Sequence, residues 1–255
     1  MRVPVLFLLL LSGLTSQASC FSGMIYAWDR SRRVPPDGLL RMVFYGTAEE
    51  LLPRLRKAPA LYLRSEHDSV SVSVHEVLKG EFRESMVALR PAKLLHAGAH
   101  YRLVLDALWQ GAPDPLMERA VYGNEGTTFL VEEAGNRWTL ELSGCPAFVK
   151  HSYVSYGCGP EQYAWFRVPA ARAAGTAVRV QVSSPGSGAV NEYVVAFQEG
   201  YVGIGHAMCS GAFRFGSGRN YTVRFALVDR TGRQGSWSDP VAFRRPEPPD
   251  ERELR

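Results

Sequence analysis

The sequence predicts an all-β protein built from two antiparallel β-sandwiches, and three observations carry that prediction. Short alternating apolar runs recur through most of the chain, with no long helical period between them. The 24 Gly and 16 Pro residues supply turn chemistry between those runs. A length of 255 residues, set against roughly 150 residues per domain, suits two cores. Composition narrows the class further. With 46% hydrophobic and 21% charged residues the chain is ordinary for a globular protein, which excludes disorder, collagen and a multi-span membrane protein. Its formal charge of +4 is too small for a nucleic-acid binder.

Residues 1–18 predict a secretory signal peptide. Arg2 is followed by the apolar run Val3 to Leu11 and then by Ser12 to Ala18, with Ser16 and Ala18 at the small positions before a cut. The run is short of the ~20 apolar residues that span a bilayer. Cys20 raises lipidation as a second possibility, but Gln17 stands three residues before it, where a lipoprotein signal takes an aliphatic side chain. Exporting the chain places its four cysteines, 20, 145, 158 and 209, in an oxidising compartment, where an even count points to two disulfides. Closing the loop between Cys145 and Cys158 would stabilise by about 3 kcal/mol. The expected pairs are therefore Cys145 with Cys158, and Cys20 with Cys209. The spacing lacks the paired C-x-x-C of a zinc site, and neither a metal nor a cofactor is expected.

The first sandwich is expected over 19–110. Leu39 to Tyr45 is mostly apolar, as suits a more deeply buried strand. Thr47 and Glu50 have capping-box spacing, with Pro53 limiting any helix to about a turn. In Ser69 to His75 valines hold one parity and Ser or His the other, the period of a half-buried strand, and Tyr101 to Leu105 gives another. A linker is expected over 111–137. Asp114-Pro115 starts a short helix and Gly123 stops it, while Phe129 to Glu132 fits the end of the first sheet or the start of the second.

The second sandwich is expected over 138–243. Its strands are Trp138 to Leu142, Tyr163 to Val168, Ala177 to Ser183, Glu192 to Gln198, Tyr221 to Val228 and Val241 to Phe243. The tail 244–255 is proline-rich and charged and reads as disordered.

Two groups of residues carry a family resemblance. Tyr221 to Gly232, followed by Ser236-Trp237-Ser238-Asp239-Pro240-Val241, resembles the last two strands of a fibronectin type III or immunoglobulin-like module. In the first half, Val34-Pro35-Pro36-Asp37-Gly38, then Leu89 to Leu95, then Gly98-Ala99-His100-Tyr101 are similar to the corner of a secreted bacterial Ig-like domain. The resemblance implies two Ig-like or fibronectin type III-like sandwiches and no particular activity. The Cys, Trp, Cys arrangement of antibody domains is missing, and Ser143 to Gly159 is longer than a usual strand connection.

No catalytic signature emerges. There is no H-E-x-x-H, P-loop or Rossmann fingerprint. Gly216-Ser217-Gly218 and Gly186-Ser187-Gly188 lack the spacing of a nucleophile elbow. His96 and His100 are four apart, but Gly98 between them marks a turn. His206 near Cys209 imitates a Cys and His pair, yet export favours a disulfide at Cys209. Tyr153, Tyr156, Tyr163 and Trp165 gather near the Cys145 to Cys158 loop, the residue types of a binding surface. The expectation is therefore an exported, non-catalytic binding or structural protein of the bacterial envelope or exterior. Its partner would be a protein or glycan at the cell surface. The alternative is an envelope hydrolase, or an accessory subunit of one, with a loop-built site.

Overall fold

The computed structural model describes residues 23–29, 31–55, 61–105, 108, 127–133, 139–157, 159–170, 177–184, 189–197 and 200–248. The expected signal peptide, Cys20, Cys158, the helix between Asp114 and Gly123, and residues 249–255 of the tail fall outside them. The described chain is all-β, with two sandwich units.

The first unit holds β1 (Gly23–Ala27), β2 (Arg33–Val34), β3 (Leu40–Gly46), β4 (Leu61–Arg64), β5 (Ser69–Lys79), β6 (Glu84–Pro91), β7 (His100–Val104) and β8 (Thr128–Val131). They form one eight-stranded sheet in the order β1-β3-β6-β5-β4-β7-β8-β2. It folds over at β5, whose start pairs with β4 and whose remainder pairs with β6 across an irregularity at Val74 to Glu76. The folded sheet encloses a core that includes Ile25, Phe44, Leu63, Val87 and Tyr101. Thr128–Val131 pairs with β7 and β2, so this stretch completes the first sheet within the expected linker.

The expected corner is present. Gly98 has φ 77°, Leu95 is buried, and the Tyr101 hydroxyl accepts the His96 N–H at 3.3 Å. After β3 come a 3₁₀ turn, Thr47–Leu51, and one helical turn, Leu52–Leu55, with Gly46 rather than Thr47 at the N-cap.

In the second unit β9 (Ala147–Tyr156), β10 (Gly159–Arg167) and β13 (Tyr201–His206) make a three-stranded sheet ordered β13-β10-β9. The strands β11 (Ala177–Ser183), β12 (Val190–Val195), β14 (Asn220–Val228) and β15 (Val241–Arg244) make the facing sheet, ordered β12-β11-β14-β15. First, second and fifth strands thus face third, fourth, sixth and seventh. This is the sandwich plan of immunoglobulin-like and fibronectin type III modules, with the fourth strand joined to the sheet of the third. Phe166 bridges the two sheets, its ring 5.3 Å from Phe225 and 5.2 Å from Phe243. Burying one such ring contributes about 1.5–3 kcal/mol.

Two expectations need correcting. Ser143 to Gly159, expected as a loop, contains the ten-residue strand β9 paired along β10. Its side chains are exposed or half-buried throughout, so no alternation marks it in the sequence. Of the strand expected from Trp138 to Leu142, Trp138 lies outside the described residues, and the rest forms only a bridge between Leu142 and Ala170.

Candidate functional site

The two units are joined by main-chain hydrogen bonds. The Phe82 N–H donates to the Gly211 carbonyl at 3.2 Å, Gly211 returns the bond at 2.8 Å, and the Glu81 N–H donates to Ala212 at 3.0 Å. Leu39 N–H donates to the Arg230 carbonyl at 2.8 Å. Side chains extend the seam. The Arg230 guanidinium reaches Glu132 at 2.6 Å and Asp29 at 3.3 Å, and Arg179 pairs with Glu76 from the first unit and with Glu192 at 2.6 Å. Arg41, 9% exposed, donates to the Asp229 carbonyl at 2.9 Å and lies 5.9 Å from the Trp28 ring centre. Burial lowers its pKa to about 10, against the opposing pull of Asp229 and Glu76. Met86 on β6 belongs to the second core, which explains why β3 and β6 are covered on both faces.

Beside this seam lies a cleft of about 420 Å³, within the size range of small-molecule sites. Its walls carry Trp28 and Glu84 from the first unit, and Glu161, Tyr163, Trp165 and Tyr193 from the second. Alternation along β10 aims these side chains. Ala164 and Phe166 are buried in the core, so Glu161, Tyr163 and Trp165 point the opposite way. The rings of Tyr163 and Trp165 sit 5.5 Å apart, inclined at 39°.

Glycines on the neighbouring chain make room for those rings. Gly203 is paired with Trp165, and a Cβ there would stand 3.0 Å from the Trp165 ring and 3.2 Å from Tyr163. Gly205 has φ 151°, and a Cβ on it would meet the Gln162 carbonyl oxygen at 1.8 Å. Gly203, Gly205 and Gly211 thus give the cleft a floor without side chains.

Glu84 anchors one side. Its Oε1 accepts the Tyr193 hydroxyl at 3.2 Å and its Oε2 accepts the Ser210 hydroxyl at 3.2 Å. Burial raises the Glu84 pKa, and the two hydrogen bonds oppose that rise. Burial and then the Glu84 charge push the Tyr193 hydroxyl up as well, so it stays a donor. At Tyr163 burial, followed by the charges of Glu161 and Glu84, pushes the hydroxyl up to about 12.

Of the four aromatic residues expected to bind, the structure brings together Tyr163 and Trp165. Tyr153 pairs with Gln162 and so lies on the other face of the β9/β10 sheet. Tyr156, 47% exposed, ends β9 opposite Gly159 and does not line the cleft. The expected Cys145 to Cys158 bridge is absent, because Cys145 is an exposed free thiol. Cys209 is disulfide-bonded, with its partner outside the described residues, and therefore offers no nucleophile to His206. The His206 imidazole instead lies edge-on to Phe82, their centres 5.1 Å apart.

Trp28, Glu84, Glu161 and Tyr193 escaped the sequence reading. Glu84 alone left a trace, as a carboxylate just ahead of the apolar run Met86 to Leu89.

No protein-family model matches the chain, and no curated protein matches it in sequence. Among solved structures it is similar to pullulanase type I from Bacillus subtilis str. 168, complexed with maltose. The identity there is 11% and the TM-score 0.26, over 86% of this chain and 24% of that one. It is likewise similar to the FN1-FN3 domains of chicken CNTN1, at 10% identity and a TM-score of 0.26, over 87% of this chain and 64% of that one. The chain spans less than two thirds of either.

Proposed function

We propose that this is an exported, non-catalytic binding protein of the bacterial envelope or exterior, and that the aromatic cleft beside the seam is its ligand site. The observation carrying this reading is the convergence of Trp28, Tyr163, Trp165 and Tyr193 in one cleft of about 420 Å³. Ligand pockets are usually concave, with aromatic side chains in their walls and a few placed polar groups that fix orientation. Strands present three of the four, Tyr163, Trp165 and Tyr193, so that much of the shape exists before a ligand arrives and binding forfeits little entropy.

A hydrolase with its site in the same cleft is the second reading, favoured by the two carboxylates Glu84 and Glu161 facing one space. Against it, both oxygens of Glu84 already accept hydrogen bonds.

The test is a titration of the purified full chain with envelope oligosaccharides, short peptides and small amines, read by tryptophan fluorescence and by product analysis. Binding is expected to saturate without turnover and to vanish in Trp165→Ala at an unchanged melting temperature. Turnover lost in Glu84→Gln or Glu161→Gln, or binding indifferent to Trp165→Ala, would overturn the proposal.

A further inference from the structure

We infer that the cleft selects a compact organic cation, of the trimethylammonium class, over neutral ligands. This rests on the cleft being the ligand site and adds its chemical class. The first observation is the sign of the walls. The chain carries 29 Lys and Arg against 25 Asp and Glu, yet among the described residues the lining holds two carboxylates and no basic side chain. The second is the nature of the remaining surface, where the half-buried rings of Tyr163 and Trp165 stand beside those carboxylates, with Trp28 also in the lining and Tyr193 buried at 2% exposure. Aromatic faces backed by carboxylates attract a cation whose charge is spread over methyl groups, since such an ion needs no hydrogen-bond acceptor of its own.

The protein already uses the same pairing. The buried Arg41 guanidinium sits over Trp28, and the Arg214 guanidinium lies 5.1 Å from the Phe82 ring centre. The upward push on the Tyr163 hydroxyl from both Glu161 and Glu84 agrees that the field in the cleft is negative.

Other ligand classes fit less well. A primary ammonium asks for several acceptors at close range, and each oxygen of Glu84 already accepts one hydrogen bond, from Tyr193 and from Ser210. A saccharide asks for several side-chain donors, and the described lining offers only the indole N–H groups of Trp28 and Trp165 and the hydroxyls of Tyr163 and Tyr193, the last already donating to Glu84. Two sources could present a trimethylammonium group, a free solute or a lipid headgroup.

The experiment titrates the full chain at constant ionic strength with tetramethylammonium, choline and the neutral isostere 3,3-dimethylbutan-1-ol. Tryptophan fluorescence is the readout. A parallel arm measures sedimentation with phosphatidylcholine vesicles. Choline is expected to bind at least tenfold tighter than the isostere. Glu161→Gln should weaken choline at least fivefold and leave the isostere unchanged, and Trp165→Leu should abolish both, with melting temperatures confirming that each variant folds. Binding to vesicles in preference to free choline assigns the headgroup as source, and the reverse assigns the solute.

Equal binding of choline and the isostere overturns cation selection while leaving the cleft as a ligand site. An oligosaccharide bound in a Trp165-dependent way, with choline inert, does the same. Choline binding unaffected by either substitution overturns both the inference and the site.

Discussion

Removing the Tyr193 hydroxyl tests the polar anchor of the cleft. In Tyr193→Phe the ring stays in place at 2% exposure, and Glu84 keeps only the Ser210 donor. A hydrogen bond to a charged group is worth about 1.5–3 kcal/mol. A loss near 2 kcal/mol would lower the melting temperature by about 4–8 °C in a chain of this size. The effect depends on pH in a defined direction. Burial raises the Glu84 pKa above its ordinary 4.5, so its favourable contribution is complete below that value and is lost as pH rises through the folded-state value. Loss of a donor to the carboxylate raises that value further, so Tyr193→Phe destabilises more at pH 7 than at pH 4. Urea titrations of wild type, Tyr193→Phe, Glu84→Gln and the double variant at both pH values measure the coupling. The cycle should give at least about 1 kcal/mol at pH 7. Additive substitutions with equal losses at the two pH values would refute the role assigned to the pair.

Three further outcomes follow from the geometry. Gly205→Ala, with its added carbon driven against the Gln162 carbonyl at a φ of 151°, should destabilise by more than about 3 kcal/mol and lower the soluble yield. Native protein treated with a maleimide should modify Cys145 while sparing Cys209; peptide mapping checks this, and Cys209→Ser should cost about 2–5 kcal/mol where Cys145→Ser costs little. Burial pushes the Asp68 carboxyl up, but Tyr101, Ser65 and Lys93 carry it down to about 2, so its stabilisation exists above about pH 4 and fades towards pH 2. Asp68→Asn should accordingly melt lower at neutral pH and converge with wild type near pH 2, as read by circular dichroism.

Much of the fold was legible where one face of a strand is buried and the other is not. The valines of β11 and the Tyr221, Val223 and Phe225 series of β14 announce themselves by period, as do the valines opening β5. Strands failing that condition were missed. β13 reads Tyr201-Val202-Gly203-Ile204-Gly205-His206, and its glycines suggest turns, although they are there to admit Trp165 and the Gln162 carbonyl. β9 is wetted along its length and shows no alternation. The cleft was half legible, since Tyr163 and Trp165 were singled out for their residue type without knowledge that parity separates them from Tyr153. Trp28 and Glu84 could not be placed from sequence, because more than seventy residues separate each of them from the strands they face. The cysteine pairing rested on parity, and parity is silent when one thiol stays reduced.

The main-chain bonds between Phe82 and Gly211 have a mechanical meaning. Sandwich modules strung on free joints stretch as beads on an elastic thread, each swivelling before any of them yields. Here a pull separating the two units must shear paired backbone amides and draw Met86 out of its neighbour's core before the joint can turn. Under tension the pair acts as one stiff link, and neither bead could be cut from this thread and restrung elsewhere without leaving the other torn open.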